Sequence, residues 1–398
     1  MSPFASDTAK LLTAQAVRAF AYGFGVVLLG TSLEVRRLPG WQVGIVLGAT
    51  VAGTAVMSLL VARYADRVGR RRFYAGLYLL LGVVGIVFAT RGSVWLLAAV
   101  ALTGVLSTEV IESGPFTSLE QPMLASYRRG AAQVRGFGRY NAIAAVSGSL
   151  GALAAAAPGI LDGAQREHWF LLFVPVAGVG WLLARSLSER VEAWGSASPG
   201  RRLERSRPAV VRLSWLFALD SFGGGFTVSA FVAYWLGARF EATPTEIGVT
   251  FFAMGVLQTA SFLIAPLLAN RFGLLRTMVF THLPSNLLLA AVAFAPNLGA
   301  AIVLLLARTA LSQMDVAPRQ AYVMVLVDPG ERTPAAAYTN TARYLTRPLG
   351  PPLAAITQQI AIGLPFVIAG AIKSVYDVSL WRWFRHVPLP ASGVEVQR

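Results

Sequence analysis

Ala62-Arg63-Tyr64-Ala65-Asp66-Arg67-Val68-Gly69-Arg70-Arg71-Arg72 is a short charged turn between two apolar stretches. Half a chain later stands a degraded copy, Pro266-Leu267-Leu268-Ala269-Asn270-Arg271-Phe272-Gly273-Leu274-Leu275-Arg276. Asp66, Arg67 and Gly69 fall on Asn270, Arg271 and Gly273. A charged turn that recurs at half-length in an apolar chain marks a duplicated bundle of membrane helices.

Composition agrees. The 398 residues are 55% hydrophobic and 13% charged, against about a quarter charged in soluble domains. Apolar stretches such as 42–62, 73–90 and 247–269 match the roughly 20 helical residues that cross a bilayer core. The net charge of +15 comes from 34 basic residues, all but Lys10 and Lys373 arginine. Most lie in the even-numbered connections and the termini. That asymmetry is the positive-inside pattern, which places both termini in the cytoplasm and explains the basic balance without a nucleic-acid partner. With no cysteine there are no disulfides and no thiol chemistry.

Twelve spans are expected, at 11–33, 42–62, 73–90, 94–114, 138–157 and 168–186, then 213–237, 246–269, 277–295, 298–317, 336–357 and 362–384. The Ser-Pro-Gly-Arg stretch near residue 200 reads as a flexible cytoplasmic linker. The expected division is 1–187 for a first six-helix bundle, 188–212 for the linker and 213–398 for a second bundle with a short tail. Further matches keep the same order. Lys10, Arg18, Phe20, Gly23 and Phe24 recur as Arg212, Asp220, Phe222, Gly225 and Phe226. Gly44 recurs as Gly248, and Asn141 and Gly151 as Asn340 and Gly350. The fourth span ends in Ile111-Glu112-Ser113-Gly114-Pro115, the tenth in Met314-Asp315-Val316-Ala317-Pro318.

With these motifs the chain resembles a major facilitator superfamily transporter over essentially its whole length. That superfamily's signature between the second and third spans is Gly-x-x-x-Asp-Arg-x-Gly-Arg-Arg/Lys. Asp66, Arg67, Gly69, Arg70 and Arg71 match it, while Ala62 stands where the first glycine should be. The resemblance implies an all-α membrane protein, two pseudo-symmetric six-helix bundles around a cavity that opens alternately to either side. It also implies that Asp66 contacts the start of the eleventh helix and latches the outward-facing state. The arginines of the turn then pair with an acid at the end of the fourth helix, where Glu112 sits, and Asp315 does the same for Arg271. Since Asn270 replaces the acid in the second copy, the latch should depend mainly on Asp66.

Intramembrane charges are costly and face the interior or a partner. Arg18 and Asp220 each lie about 12 Å beyond a cation that opens the span, by the helical rise, on helices that line the cavity in this superfamily. They could pair in one state and separate in another. Alternatively Asp220 carries a coupling proton while Arg18 holds an anion, or the two form a static pair. Glu109 is a second proton candidate. Arg308 lies about 15 Å into the tenth span. Of Arg343 and Arg347, one helical turn apart, Arg343 is expected to be structural and Arg347 to face the cavity. Lys373 and Asp377 share a face of the twelfth span and read as a local ion pair. Gly223-Gly224-Gly225 should break helical regularity.

No metal or cofactor is expected. His168, His282 and His386 lie apart, and no phosphate-binding loop or nucleophile elbow is present, so the chain does not read as an enzyme. The expected function is proton-coupled secondary transport of a small organic solute across the inner membrane, by a monomer. Efflux stands first, although the fifth span lacks the Gly-Pro motif of drug–proton antiporters. Uptake of an organic anion or zwitterion, supported by Arg18, Arg308 and Arg347, is the alternative. A non-transporting sensor or assembly protein comes third.

Overall fold

The computed structural model describes residues 3–90, 92–107, 114–125, 131–161, 163–192, 203–328 and 331–387. The chain is all-α. Its first half contains α1 (Pro3–Val35), α2 (Gly40–Val68), α3 (Arg70–Ala89), α4 (Val94–Ala101), α5 (Pro115–Ala125), α6 (Ala131–Ala154), α7 (Ala156–Leu161) and α8 (Phe173–Arg185). The second half contains α9 (Arg207–Gly225), α10 (Ser229–Phe240), α11 (Pro244–Phe272), α12 (Leu274–Val292), α13 (Leu298–Ser312), α14 (Val316–Leu326), α15 (Arg332–Thr346), α16 (Gly350–Ile360) and α17 (Leu364–Phe384). Among the described residues, nine helical stretches are long and apolar enough to cross a membrane.

Both copies of the charged turn are built alike. Gly69 joins α2 to α3 at φ 96°, and Gly273 joins α11 to α12 at φ 87°. At those angles a side chain would clash with its own backbone, so a single glycine reverses two long helices.

The glycines matched between the halves mark helix crossings. A Cβ on Gly151 of α6 would stand on the carbonyl of Phe20 in α1, and one on Gly225 of α9 would sit 2.3 Å from the Arg347 carbonyl oxygen. A Cβ on Gly350 would lie 2.3 Å from the Gly225 carbonyl carbon. Backbones touch there, as small residues allow in membranes. Gly350→Ala should therefore cost about 1–3 kcal/mol by overpacking and lower the unfolding temperature in detergent. Gly178→Ala, where a Cβ meets nothing within 4 Å, should not lower it.

Several expected spans are interrupted. The fourth is not one helix over 94–114: α4 ends at Ala101, and Gly104 (φ 73°) turns the chain. A Cβ on Gly104 would overlap the Gly53 carbonyl of α2. The glycine triplet does end α9, and α10 starts at Ser229. The eleventh span breaks at Arg347–Leu349, where Pro348 removes a helical donor. The tenth breaks between Ser312 and Val316.

Two carboxylates cap helices from a distance. Glu192 accepts from the backbone N–H groups of Arg70 (2.7 Å) and Arg71 (3.0 Å) at the start of α3. Buried Glu331 accepts from those of Glu204 (2.9 Å), Arg205 (3.1 Å) and Ser206 (2.9 Å) just before α9. Glu192 thereby satisfies donors that the start of α3 leaves unpaired, and Glu331 holds the segment that leads into α9 through its N-cap Ser206. The three N–H groups hold the Glu331 carboxyl down to about 2. Its stabilisation is therefore complete above the ordinary glutamate range and is lost as pH falls from about 4.5 through 2. The difference in unfolding temperature between wild type and Glu331→Gln should shrink over that window.

Candidate functional site

A cavity of about 190 Å³ lies between the halves. From the first half, α1 and α6 line it with Gly23, Val26, Ala145, Gly148, Ser149 and Ala152, none of them charged. Every charge comes from the second half: carboxylates at Asp220 and Asp315 against Arg308, Arg319, Arg343, Arg347 and Lys373, with His282 beside them.

Asp220, buried on α9, is the hub. Lys373 Nζ of α17 lies 2.5 Å from Oδ1, Arg319 Nη1 of α14 is 3.3 Å from Oδ2, and His282 Nε2 of α12 is 3.8 Å from Oδ1. The same Arg319 nitrogen is 3.2 Å from Asp315 Oδ2. Neutralising Asp220 would leave Lys373 without its counter-charge, while Arg319 keeps Asp315.

A second cavity, also about 190 Å³, shares Ser221, Val316, Arg343 and Arg347 with the first. It carries the matched pair Asn141 and Asn340, together with Thr117 and Gln121 of α5. The charged cavity thus continues toward the side where α1 begins and α17 ends. At the opposite side the halves are in contact. A Cβ on Gly44 of α2 would be 2.3 Å from that of Ala355 in α16, and one on Gly30 of α1 would be 2.6 Å from the Ala230 carbonyl oxygen of α10.

Arg18 is not among the cavity lining. It is buried inside the first half, with Nη2 2.5 Å from Glu120 Oε2 of α5 and its guanidinium 4.8 Å above the Phe116 ring. Tyr74 donates to Glu120 Oε1 at 2.5 Å, and Tyr140 donates to Oε2. Arg18 and Asp220 hold matching positions, but a local acid satisfies one and a neighbouring lysine the other, so they do not meet.

The remaining expectations sort by partner. Asp66 pairs with Arg70 in its own turn, Nε to Oδ1 at 2.6 Å. Arg71 donates to the Arg185 carbonyl at 3.0 Å, and Arg67 borders a surface hollow with Glu189 and Glu192. Asp315 faces Arg319, not Arg271, which is exposed beside Phe272. Arg308 and Arg347 line the cavity, and so does Arg343. Glu109 and Glu112 lie outside the described residues.

The expected Lys373–Asp377 pair is replaced. Lys373 reaches Asp220, and Asp377 takes His282 Nδ1 at 3.0 Å and Asn286 Nδ2 at 2.8 Å. The twelfth span thereby contributes Lys373 to the site. The sequence alone did not place Arg319, His282 or Lys373 at the cavity, nor pair Glu120 with Arg18. Arg319 stands one turn after Asp315 and Asn286 one turn after His282, which were the available signals.

The family model described as Major Facilitator Superfamily matches residues 11–351. The chain belongs to the Major Facilitator Superfamily. It is 25% identical, over 94% of both chains, to the uncharacterized membrane protein YJR124C of Saccharomyces cerevisiae. Its fold is similar to that of the nucleoside transporter NupG, with 12% identity, a TM-score of 0.74 and coverage of 97% of this chain and 100% of that one. It is also similar to a bacterial homolog of the human lysosomal transporter Spinster, with 16% identity, a TM-score of 0.69 and coverage of 96% and 93%. In this superfamily member the fold is pseudo-symmetric, but the charged cavity wall belongs to one half.

Proposed function

We propose that this Major Facilitator Superfamily protein carries a small organic anion together with a proton, by alternating access. One observation carries the reading: Asp220, at the cavity wall, is shared by Lys373 and Arg319 amid an excess of cations. With Asp220 ionised, its carboxylate occupies two of those cations. Once it is protonated, Lys373 turns to the anion, which supplies the negative charge that Asp220 has given up, while Arg319 keeps Asp315. Proton and anion then favour each other's binding by linkage, which is the thermodynamic condition for symport.

This chemistry supports uptake of an anion over efflux, since cations outnumber carboxylates in the described cavity lining. The arginine-rich connections support an inner-membrane protein with cytoplasmic termini, and the outer contacts at Gly30 and Gly44 then make this conformation inward-facing. We place the division between the bundles in the 188–212 segment, and assign Asp66, Arg67, Gly69, Arg70 and Arg71 to gating.

The test is a proteoliposome assay with an imposed pH gradient and labelled carboxylates, zwitterions and lipophilic cations. A carboxylate should accumulate on the side to which protons flow. Accumulation of a lipophilic cation against the proton flux, with no carboxylate moved, overturns the reading.

A further inference from the structure

Behind Asp220 lies a second carboxylate outside the cavity lining. Asp377 of α17 is fully buried. Its oxygens face His282 Nδ1 at 3.0 and 3.1 Å and the Asn286 side-chain amide at 2.8 Å. Lys373, one turn before it, is turned away to Asp220, and Arg319 lies between Asp220 and Asp315. His282 is thus the one ion-pair partner of Asp377 among the described residues. A buried carboxylate is costly unless paired, and imidazole pairs with it fully only as the cation.

The ring is placed to take that charge from the cavity. With Nδ1–H directed to Asp377, Nε2 is the basic nitrogen. Nε2 points to Asp220 at 3.8 Å, and His282 lines the cavity while Asp377 does not. The groups around the ring can be named by helix. Asn286 is on α12; Asp377, Lys373 and Tyr376 are on α17, the Tyr376 ring edge-on at 5.8 Å. Asp220 is on α9. Arg308 on α13, Asp315 and Arg319 at α14, and Arg343 on α15 share the cavity. Two carboxylates flank the imidazole, while the lysine and Arg319 beside it are engaged by carboxylates.

We propose that His282, backed by Asp377, is a proton-binding site of this protein, loaded from the cavity past Asp220. The assignment of that proton as the coupled one rests on the transport reading above, but occupancy of the site does not.

The chain has three histidines, so His168→Gln with His386→Gln leaves His282 as the single reporter. Nitrogen-15 histidine NMR of this protein in lipid nanodiscs, from pH 5 to 9, should show the ring passing from imidazolium to imidazole. In Asp377→Asn the imidazolium-to-imidazole ratio at a given pH should fall about tenfold or more, as loss of an adjacent opposite charge requires. If Asp377→Asn does not fold, Asp220→Asn must show a fall in the same measurement. A ring that stays neutral throughout, or an unchanged titration in the variant that folds, overturns the proposal. His282→Gln should also lose pH-driven accumulation in proteoliposomes; unchanged accumulation overturns its coupling role. If His282 titrates as expected but no anion moves, the transport reading fails and the proton site stands. If anions move with protons and His282 does not titrate, the reverse holds.

Discussion

Asp220→Asn is expected to abolish accumulation driven by a pH gradient while leaving exchange of labelled for unlabelled anion across the membrane. The asparagine cannot take up a proton and cannot hold Lys373 and Arg319 by charge. The variant should behave like the protonated protein, with Lys373 committed to substrate at every pH and Arg319 held by Asp315. With no proton taken up at this position the pH gradient has nothing to act on there, so accumulation should fall to the level reached without a gradient. Asp315→Asn should do less, because Asp315 meets only one of the two cations, Arg319, within ion-pair distance. Both variants can be compared in one vesicle preparation, with and without the gradient. Loss of exchange as well as accumulation in Asp220→Asn would show that the carboxylate holds substrate or structure instead of switching charge.

Glu120→Ala should be the most destabilising substitution in the first half. It leaves the Arg18 guanidinium buried without its counter-charge and removes the acceptor of Tyr74 and Tyr140. The expected loss is about 3–5 kcal/mol, read as a lower unfolding temperature in detergent or as failure to accumulate in the membrane. The double variant Arg18→Met, Glu120→Leu should recover much of that loss, since apolar residues often replace a buried pair without penalty. It should also keep substrate exchange, because neither residue lines the cavity. If the double variant is stable but inactive, Arg18 acts beyond packing.

The two substitutions bear on one finding. Arg18 and Asp220 can be matched by position in the sequence, yet one is a buried structural ion and the other the centre of the site. Position along a helix follows from the 3.6-residue repeat, and the sequence carries it. Which partner a charged side chain finds depends on neighbouring helices about a hundred residues or more away in the chain. Lys373 and Asp377 show this most clearly. Their one-turn spacing predicts a pair, but α17 packs against α9 on one side and α12 on the other, and each side chain takes the partner its own side offers.

The outline was legible for a reason that runs the other way. The turn at Asp66 and its copy at Asn270, the glycines repeated between the halves and the arginine-rich connections are local constraints. A tight reversal needs glycine at Gly69 and Gly273, a helix crossing needs glycine at Gly151, Gly225 and Gly350, and spans need apolar length. Sequence alone therefore determined an all-α membrane protein of duplicated design in this superfamily. It did not determine that the first half lines its cavity without a charge, that Asp220 is held by Lys373 and Arg319, or that His282 stands between two carboxylates. Those facts come from packing between helices far apart in the chain, where the cost of burying a charge is met by whichever opposite charge the fold brings within about 4 Å.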